Sequence, residues 1–117
     1  MRRMSFAMTE RALLDGTKTV TRRLGWLTLK AGDELLAVDK TMGLRKGQKS
    51  RILACLRVVS VMREQLSDVT HTECALEGFP EMTPAEFVEM FCAAHAGKCT
   101  PSTEVTRIRF ERVKGAA

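Results

Sequence analysis

The residues best suited to chemistry lie in one short segment, 16–23, with the sequence Gly-Thr-Lys-Thr-Val-Thr-Arg-Arg. A lysine ammonium is a compact point charge, whereas an arginine guanidinium is a planar fork that matches a phosphate group. Threonine hydroxyls both donate and accept hydrogen bonds. We therefore predict that Lys18, Arg22 and Arg23 bind an anionic or amide-bearing ligand. The structural alternative is an exposed edge strand that is guarded by its charges.

A second group of positive residues lies in the segment 40–51, which contains Gly43 and Gly47 and is predicted to be a solvated loop. Charged loops are commonly no more than solvated surface. The alternative is that the loop draws phosphate groups towards the site, because lysine and arginine provide most of the affinity for nucleic acid backbones. The nucleic-acid-binding residues predicted in this loop are Lys40, Arg45, Lys46 and Lys49.

The composition favours an ordinary globular protein with an anionic partner. The chain has 117 residues, of which 44% are apolar and 28% are charged, with a net charge of +5. Such an excess of positive charge favours RNA, DNA or nucleotides as partners. With five Phe, one Trp and no Tyr, the chain has few rings to offer. This composition argues against an extended surface on which successive bases stack.

The sequence predicts a cytoplasmic protein without a membrane partner. It contains neither a secretory pattern nor an apolar stretch of transmembrane length. Its four cysteines are therefore expected to stay reduced. The last residues, 114–117, are expected to fray.

Cysteine and histidine spacing raises the possibility of a metal site. The patterns His71-x-x-Cys74 and Cys92-x-x-His95-x-x-x-Cys99 have gaps that are compatible with zinc ligation. However, Cys92 also fits the apolar face of a predicted helix, and free cysteine is among the most buried residue types. We therefore predict packed side chains here and no metal or cofactor, with zinc as the alternative.

The elements that must position the first segment are a helix and a strand. The helix is predicted at 10–14, with Thr9 as its cap, and the strand at 18–23. In a regular strand Lys18 and Thr21 would point to opposite faces, because their spacing is odd. They can converge only if Lys18 lies in the loop before the strand or if a bulge intervenes.

The remaining pattern predicts an α+β fold. Capping boxes at Thr70 and Thr83 are predicted to begin two helices, at about 71–77 and 84–95. Strands are predicted at 34–39, 52–61 and 104–113. So few strands must close around one core, with the helices covering its ends. A small, partly open β-barrel with flanking α-helices fits best.

The motif Gly16-x-Lys18-x-x-x-x-Arg23, placed after a short helix, resembles the signature of the ASCH domain family, which belongs to the PUA-like barrels. The ordered set of elements is more specific than this motif alone. It spans about residues 4–113, which we predict to be a single domain. The other matching elements are Gly32-Asp33 before a strand, Glu77-Gly78 at a helix end and the closing strand at 105–110.

The resemblance implies a cleft beside the first helix and a role with RNA, a nucleotide or a nucleoside. One branch of the family removes the acetyl group from acetylated cytidine, and its catalytic Lys, Thr and Glu match Lys18, Thr21 and Glu77. Other members are proposed RNA-binding modules, and ribonuclease activity has been attributed to some. The loop at 40–51 has no counterpart in the amidohydrolase branch, which favours a polymer. RNA or nucleotide binding is therefore our main prediction, with an amidohydrolase or a ribonuclease as alternatives.

Overall fold

In the computed structural model, residues 1–114 are described, so the predicted fraying at 114–117 lies, apart from Lys114, outside the described residues. Within this range the chain forms five strands, three α-helices and one 3₁₀ turn. The strands join in a single sheet, whereas the helices are separate from it. The elements are β1 (Arg3–Ser5), α1 (Glu10–Leu14), β2 (Val20–Arg23), β3 (Glu34–Val38), β4 (Ile52–Gln65), the 3₁₀ turn (Leu66–Asp68), α2 (His71–Leu76), α3 (Pro84–Ala94) and β5 (Glu104–Arg112).

The sheet has the order β1-β3-β4-β5-β2, so β1 and β2 are its two edges. β1 runs parallel to β3, and the other neighbours are antiparallel. Phe6, just after β1, nevertheless contacts Phe110 of β5, with the ring centroids 5.8 Å apart. Since β5 pairs with the opposite edge, this contact shows that the sheet curls on itself. The predicted α+β fold, a partly open barrel with flanking helices, is confirmed.

Two parts of the sheet differ most from the prediction, the edge strand β1 and the end of the central strand β4. β1 escaped it because three residues are too few to show a period of two. β4 extends four residues beyond Val61, to Gln65, through a stretch that is mostly exposed and polar. That extension pairs with the start of β5, from Glu104 to Arg107. The extension brings the carboxylate of Glu64 close to the site described below.

The helix starts depend on different capping contacts. At α3 the full capping box forms: Thr83 Oγ1 accepts from the N–H of Glu86, and Thr83 N–H donates to Glu86 Oε1, at 3.1 and 2.9 Å. At α2 only half of the box forms, because Thr70 Oγ1 accepts from the N–H of Glu73 while the Glu73 carboxylate turns elsewhere. Thr9 precedes α1 as predicted but makes no capping hydrogen bond with its side chain.

The helices are short, and α3 is the longest at 11 residues. None of those in residues 1–114 is long and apolar enough to cross a membrane. Phe87 and Phe91 are the buried residues of α3 and pack in a second apolar cluster outside the barrel core. The protein therefore has a barrel core and a smaller core beneath its helices.

Candidate functional site

A cavity of about 270 Å³ lies where the two edges of the sheet approach each other. We call it the edge cavity. Its walls come from the segment after β1, from β2 and the residues before it, and from the helices. The lining residues used below are Ser5, Phe6, Thr9, Lys18, Thr21, Arg22, Arg23, Glu77, Phe79, Phe87, Phe91 and His95.

Lys18 and Thr21 line this same cavity because β2 begins only at Val20. Lys18 therefore lies in the loop before the strand, which is one of the two ways in which the pair can converge. The loop is fixed by two backbone hydrogen bonds, from Lys18 N to Ala12 O at 3.0 Å and from Thr19 N to Leu76 O at 2.9 Å. Lys18 is thus held between α1 and the end of α2.

Gly78 allows the end of α2 to lie this close. Its φ of +101° belongs to the left-handed region that favours glycine. A Cβ added there would lie 3.0 Å from Ala12 Cβ and 3.7 Å from Lys18 Cβ. A side chain at position 78 would therefore press on Ala12 of α1, and glycine allows the end of α2, with Glu77, to lie beside α1 and Lys18.

Lys18 and Glu77 form a buried ion pair. Lys18 Nζ donates to Glu77 Oε1 at 3.0 Å and to the Glu77 carbonyl oxygen at 2.6 Å. The side chains are only 3% and 4% exposed. Burial lowers the pKa of Lys18, and the attraction of Glu77 opposes that effect. Because an ammonium has three donors, one remains for a ligand.

Arg22 gathers three carboxylates around the same pair. Its guanidinium lies 2.7 Å from Glu73, 2.9 Å from Glu64 and 3.1 Å from Glu77. Burial disfavours its charge, yet these carboxylates raise the pKa of Arg22, with the hydrogen bond that Arg22 donates to Glu73 as the largest favourable cause. Arg107 of β5 donates to Glu73 at 2.5 Å. The set Lys18, Arg22, Arg107, Glu64, Glu73 and Glu77, with three cations and three anions, is called the buried charge cluster.

Arg23 differs from its neighbour. Its Nε donates to Thr21 Oγ1 at 3.0 Å, and its guanidinium carbon lies 4.8 Å from the centre of the Phe6 ring. Within residues 1–114 no carboxylate lies within 4.0 Å of it. Burial lowers the pKa of Arg23 to about 10, so it remains cationic at neutral pH. The edge cavity therefore holds one cation without an ion-pair partner.

Aromatic side chains form another wall of the cavity. The Phe79 and Phe87 rings meet edge to face with centroids 6.1 Å apart, and His95 stacks on Phe91 at 4.4 Å. Nδ1 of His95 lies 2.9 Å from the carbonyl oxygen of Phe91. Since a carbonyl can only accept, Nδ1 carries a proton and Nε2 is the acceptor nitrogen in the neutral ring. Phe87 and Phe91 are only 1% and 6% exposed, so the half-buried Phe79 and His95 rings provide the accessible flat surface of this wall.

The predicted site residues thus fall into two groups. Lys18, Thr21, Arg22, Arg23 and Glu77 all line the edge cavity. The loop residues are not among its lining and are mostly exposed. They are Lys40, Arg45, Lys46 and Lys49.

The loop at 40–51, called the basic loop, nevertheless begins beside the cavity. Asp39 Oδ1 accepts from the backbone N–H groups of Lys40 and Arg51, each at 2.8 Å, which closes the neck of the loop. Arg51 also pairs with Glu10 of α1. Ser5, which lines the cavity, donates to the carbonyl of Asp39 at 3.4 Å.

The zinc alternative gains no support. Among the described residues, no three His, Cys, Asp or Glu side chains are grouped so that they could hold a metal ion. Cys74 is buried in α2. Cys92 and Cys99 lie together, with their sulfurs 3.8 Å apart, but His95 uses Nδ1 on a backbone carbonyl.

Sequence reasoning missed several residues of the site. Glu73 lies four residues before Glu77, a spacing that places both on one helix face, and this signal could have found it. Glu64 and Arg107 join through the pairing of β4 with β5, which no local pattern announces. Phe6 follows the strand that was too short to detect.

Two solved structures resemble this chain. One is protein EF3133 from Enterococcus faecalis V583, described as DUF984, with 17% identity and a TM-score of 0.67 over 97% of this chain and 76% of that one. The other is an ASCH domain from Lactobacillus crispatus JV V101, with 17% identity and a TM-score of 0.66 over 95% and 78%. No family model and no curated protein matches the sequence. At these identities the likeness shows the fold alone, and that fold is the one of the ASCH domain structure.

Proposed function

We propose that this chain, which has the fold of an ASCH domain, binds RNA by holding one nucleotide in the edge cavity. The observation that carries the proposal is Arg23, a half-buried cation without a carboxylate partner in residues 1–114, placed over the Phe6 ring. A guanidinium matches a phosphate or the carbonyl edge of a base, and aromatic rings stack on splayed bases. The cavity thus offers one contact of each kind.

Charge balance supports an acceptor-bearing ligand. The buried charge cluster contains Lys18, Arg22 and Arg107 against three glutamates, so it is formally neutral. Arg23 adds one positive charge, which a ligand with an anionic or carbonyl oxygen would satisfy. Because Arg22 is held by three carboxylates, we assign it to positioning Glu77 more than to contacting phosphate.

The basic loop favours an RNA strand over a free nucleoside. Its neck is tied to Ser5, which lines the cavity, and to Glu10, which follows the lining residue Thr9, so a strand with one nucleotide in the cavity would pass close to it. Exposed lysines and arginines there would contact the phosphates of neighbouring nucleotides. The loop residues proposed for this role are Lys40, Arg45, Lys46 and Lys49.

Binding of a fluorescently labelled, short single-stranded RNA tests the proposal. Arg23→Met should weaken binding about 10- to 100-fold, since hydrogen bonds from charged groups contribute about 1.5–3 kcal/mol. Arg109→Met removes an exposed arginine of β5 that does not line the cavity, and should weaken binding less than about threefold. Absence of binding, or equal losses in the two variants, would refute the proposal.

A second candidate function is hydrolysis of an acetylated cytidine. It is favoured by Lys18, which is buried, has a lowered pKa and shares the cavity with Thr21. Thr21, or a water that it orients, would attack the amide carbonyl while Lys18, in its neutral form, takes the proton and Arg23 holds the oxygen. Glu77 would orient Lys18 or pass that proton on to the departing amine, and water would then hydrolyse any acetyl group left on Thr21. No hydrogen bond joins Lys18 to Thr21, so the proton would have to pass through water or the substrate.

Release of acetate from N-acetylated cytidine, free or within RNA, tests this second function. Lys18→Met should abolish turnover while the circular dichroism spectrum stays that of the wild type. Thr21→Val should do the same if the hydroxyl is the nucleophile. An absence of wild-type turnover on both substrates would retire the idea and leave RNA binding intact.

Ribonuclease action, a cytoplasmic location and a single domain over 4–113 stay predictions.

A further inference from the structure

Two thiols meet at the end of α3. Cys92 lies in the last turn of that helix, and Cys99 follows seven residues later, after a turn through Gly97. Cys92 Sγ donates to Cys99 Sγ across 3.8 Å, and both side chains are half-buried. Neither sulfur takes part in the edge cavity. The contact therefore needs an explanation separate from nucleotide binding.

The pair is open to small solutes. Cys92 and Cys99 line a second cavity of about 660 Å³, bounded by Pro84, Val88 and Pro101 among others. This cavity shares no lining residue with the edge cavity, so α3 separates the two. A low-molecular-weight reagent can thus reach the sulfurs without entering the proposed RNA site.

The other two cysteines provide internal controls. Cys55 lies on β4, and Cys74 is fully buried in α2. Within residues 1–114 neither makes a sulfur–sulfur contact. Oxidation that depends on proximity should therefore select Cys92 and Cys99.

We propose that Cys92 and Cys99 form a reversible disulfide by exchange with low-molecular-weight disulfides. In the first step the Cys99 thiolate attacks R–S–S–R, whose sulfur–sulfur bond breaks, and one RS⁻ leaves. In the second step Cys92 gives its proton to that RS⁻, and the Cys92 sulfur attacks Cys99 Sγ, which releases a second RS⁻. This second thiolate takes up from solvent the proton that Cys99 lost when it ionised. Overall, two protein thiols are oxidised, and one disulfide is reduced to two RSH.

The order of the two steps follows from the surroundings of Cys92. Burial, followed by the contact with Cys99, raises the pKa of the Cys92 thiol. Because the thiolate is the nucleophile, Cys92 is the poorer initial attacker and is suited to resolving the mixed disulfide. Its sulfur is already beside the one that it must attack.

Bond formation would also move a wall of the edge cavity. The sulfurs must approach from 3.8 Å to about 2.05 Å. The turn between them is built on His95, whose N–H donates to the Cys92 carbonyl at 3.2 Å and whose carbonyl accepts from Lys98 N–H at 2.9 Å. His95 lines the edge cavity, so the redox state of the pair reaches that wall. The disulfide and the movement of this wall do not depend on the proposed RNA binding.

Peptide mass spectrometry after incubation with oxidised glutathione tests the disulfide. The wild type and Cys55→Ser should yield a peptide linked through Cys92 and Cys99, and dithiothreitol should reverse the link. Cys92→Ser should instead stop at a glutathione adduct on Cys99. Recovery of both wild-type thiols unmodified, or of mixed disulfides alone, would overturn the proposal.

Imidazole signals in ¹H–¹⁵N NMR spectra test the effect on the cavity wall. Oxidation should shift the signals of His95 and leave those of His71, exposed on α2, in place. Unchanged His95 signals in the disulfide form would refute the coupling. Neither readout uses RNA, so a failure of the proposed RNA binding would leave both results standing and would be recognised separately.

Discussion

The buried charge cluster and the basic loop use the same cationic residue types in opposite ways. In the cluster, Lys18 and Arg22 meet carboxylates that are 59 and 51 residues away in sequence, and the side chains are removed from solvent. In the basic loop, Arg45, Lys46 and Lys49 are exposed. The comparison teaches that clustered Lys and Arg side chains are held in place by ion pairs where the fold supplies carboxylates. Where the fold supplies none, these side chains stay available to a ligand.

This difference sets where substitutions should act. Removing one member of a buried ion pair leaves an uncompensated charge in a dry environment, which is costly. Exposed charges contribute little to stability but attract polyanions and respond to salt. Stability should therefore depend on the cluster, whereas the salt dependence of binding should depend on the loop. The predictions below test each half of that division.

The largest effect is expected from Glu77→Gln. This change removes the negative charge shared by Lys18 and Arg22, and should lower the free energy of unfolding by about 3–5 kcal/mol. Urea denaturation measures the loss. Glu34→Gln breaks the exposed pair with Arg57 and should cost less than about 1 kcal/mol. Equal losses in the two variants would remove the distinction between buried and exposed pairs.

A smaller loss is expected from Gly78→Ala, which tests how the cluster is assembled. Placing alanine in the left-handed backbone region lowers the free energy of unfolding by about 1–2 kcal/mol. The tight contact with Ala12 should lower it by about 1–3 kcal/mol more. Gly97→Ala is the matched control, because its φ is +79° but, within residues 1–114 and apart from its chain neighbours, no atom lies within 4 Å of the added Cβ. Thermal or urea unfolding should rank Gly78→Ala as the more destabilised. The reverse ranking would contradict the close approach of α1 and α2.

Acid should weaken the cluster through Glu73. The hydrogen bond from Arg107, followed by that from Arg22 and against the effect of burial, lowers the pKa of Glu73 below its ordinary 4.5. A carboxyl with a lowered folded pKa stabilises the protein above its unfolded pKa, and this contribution is lost as the pH falls through the folded value. The stability advantage of the wild type over Glu73→Gln should therefore shrink from about pH 6 to about pH 3. An advantage that stays constant over this range would refute the assignment.

The smallest effect on stability is expected in the basic loop. The double substitution Lys46→Ala and Lys49→Ala should change the free energy of unfolding by less than about 0.5 kcal/mol. It should also lower the slope of log binding constant against log salt by about 1.4, or about 0.7 for each lost phosphate contact on a single strand. Lys30→Ala, at the opposite end of β3, should leave the slope unchanged. An unchanged slope in the double variant would exclude the loop from RNA contact.

Local patterns predicted much of the fold. Capping boxes located α2 and α3, glycine and β-branched residues located α1 and β2, and the order of elements indicated the open barrel. Segment 16–23 and the family resemblance together named five residues that line one cavity, namely Lys18, Thr21, Arg22, Arg23 and Glu77. Each of these signals is contained within a few neighbouring residues, so it can be detected before the tertiary structure is known.

The remaining features depend on long-range contacts. The different surroundings of Arg22 and Arg23 are the clearest example, because two adjacent arginines look equivalent in the sequence. Only the pairing of β4 with β5 and the position of α2 surround Arg22 with Glu64 and Glu73, while Arg23 faces Phe6. The Glu73 side chain, predicted to close a capping box, is likewise taken by arginines from two strands.

A crystal structure of the protein with a short single-stranded RNA tests the central claim most directly. The account predicts one nucleotide in the edge cavity, with a base or phosphate oxygen within about 3.2 Å of the Arg23 guanidinium and a base against the Phe79 or His95 ring. The strand should continue towards the basic loop. RNA bound elsewhere with the edge cavity unfilled would contradict the account.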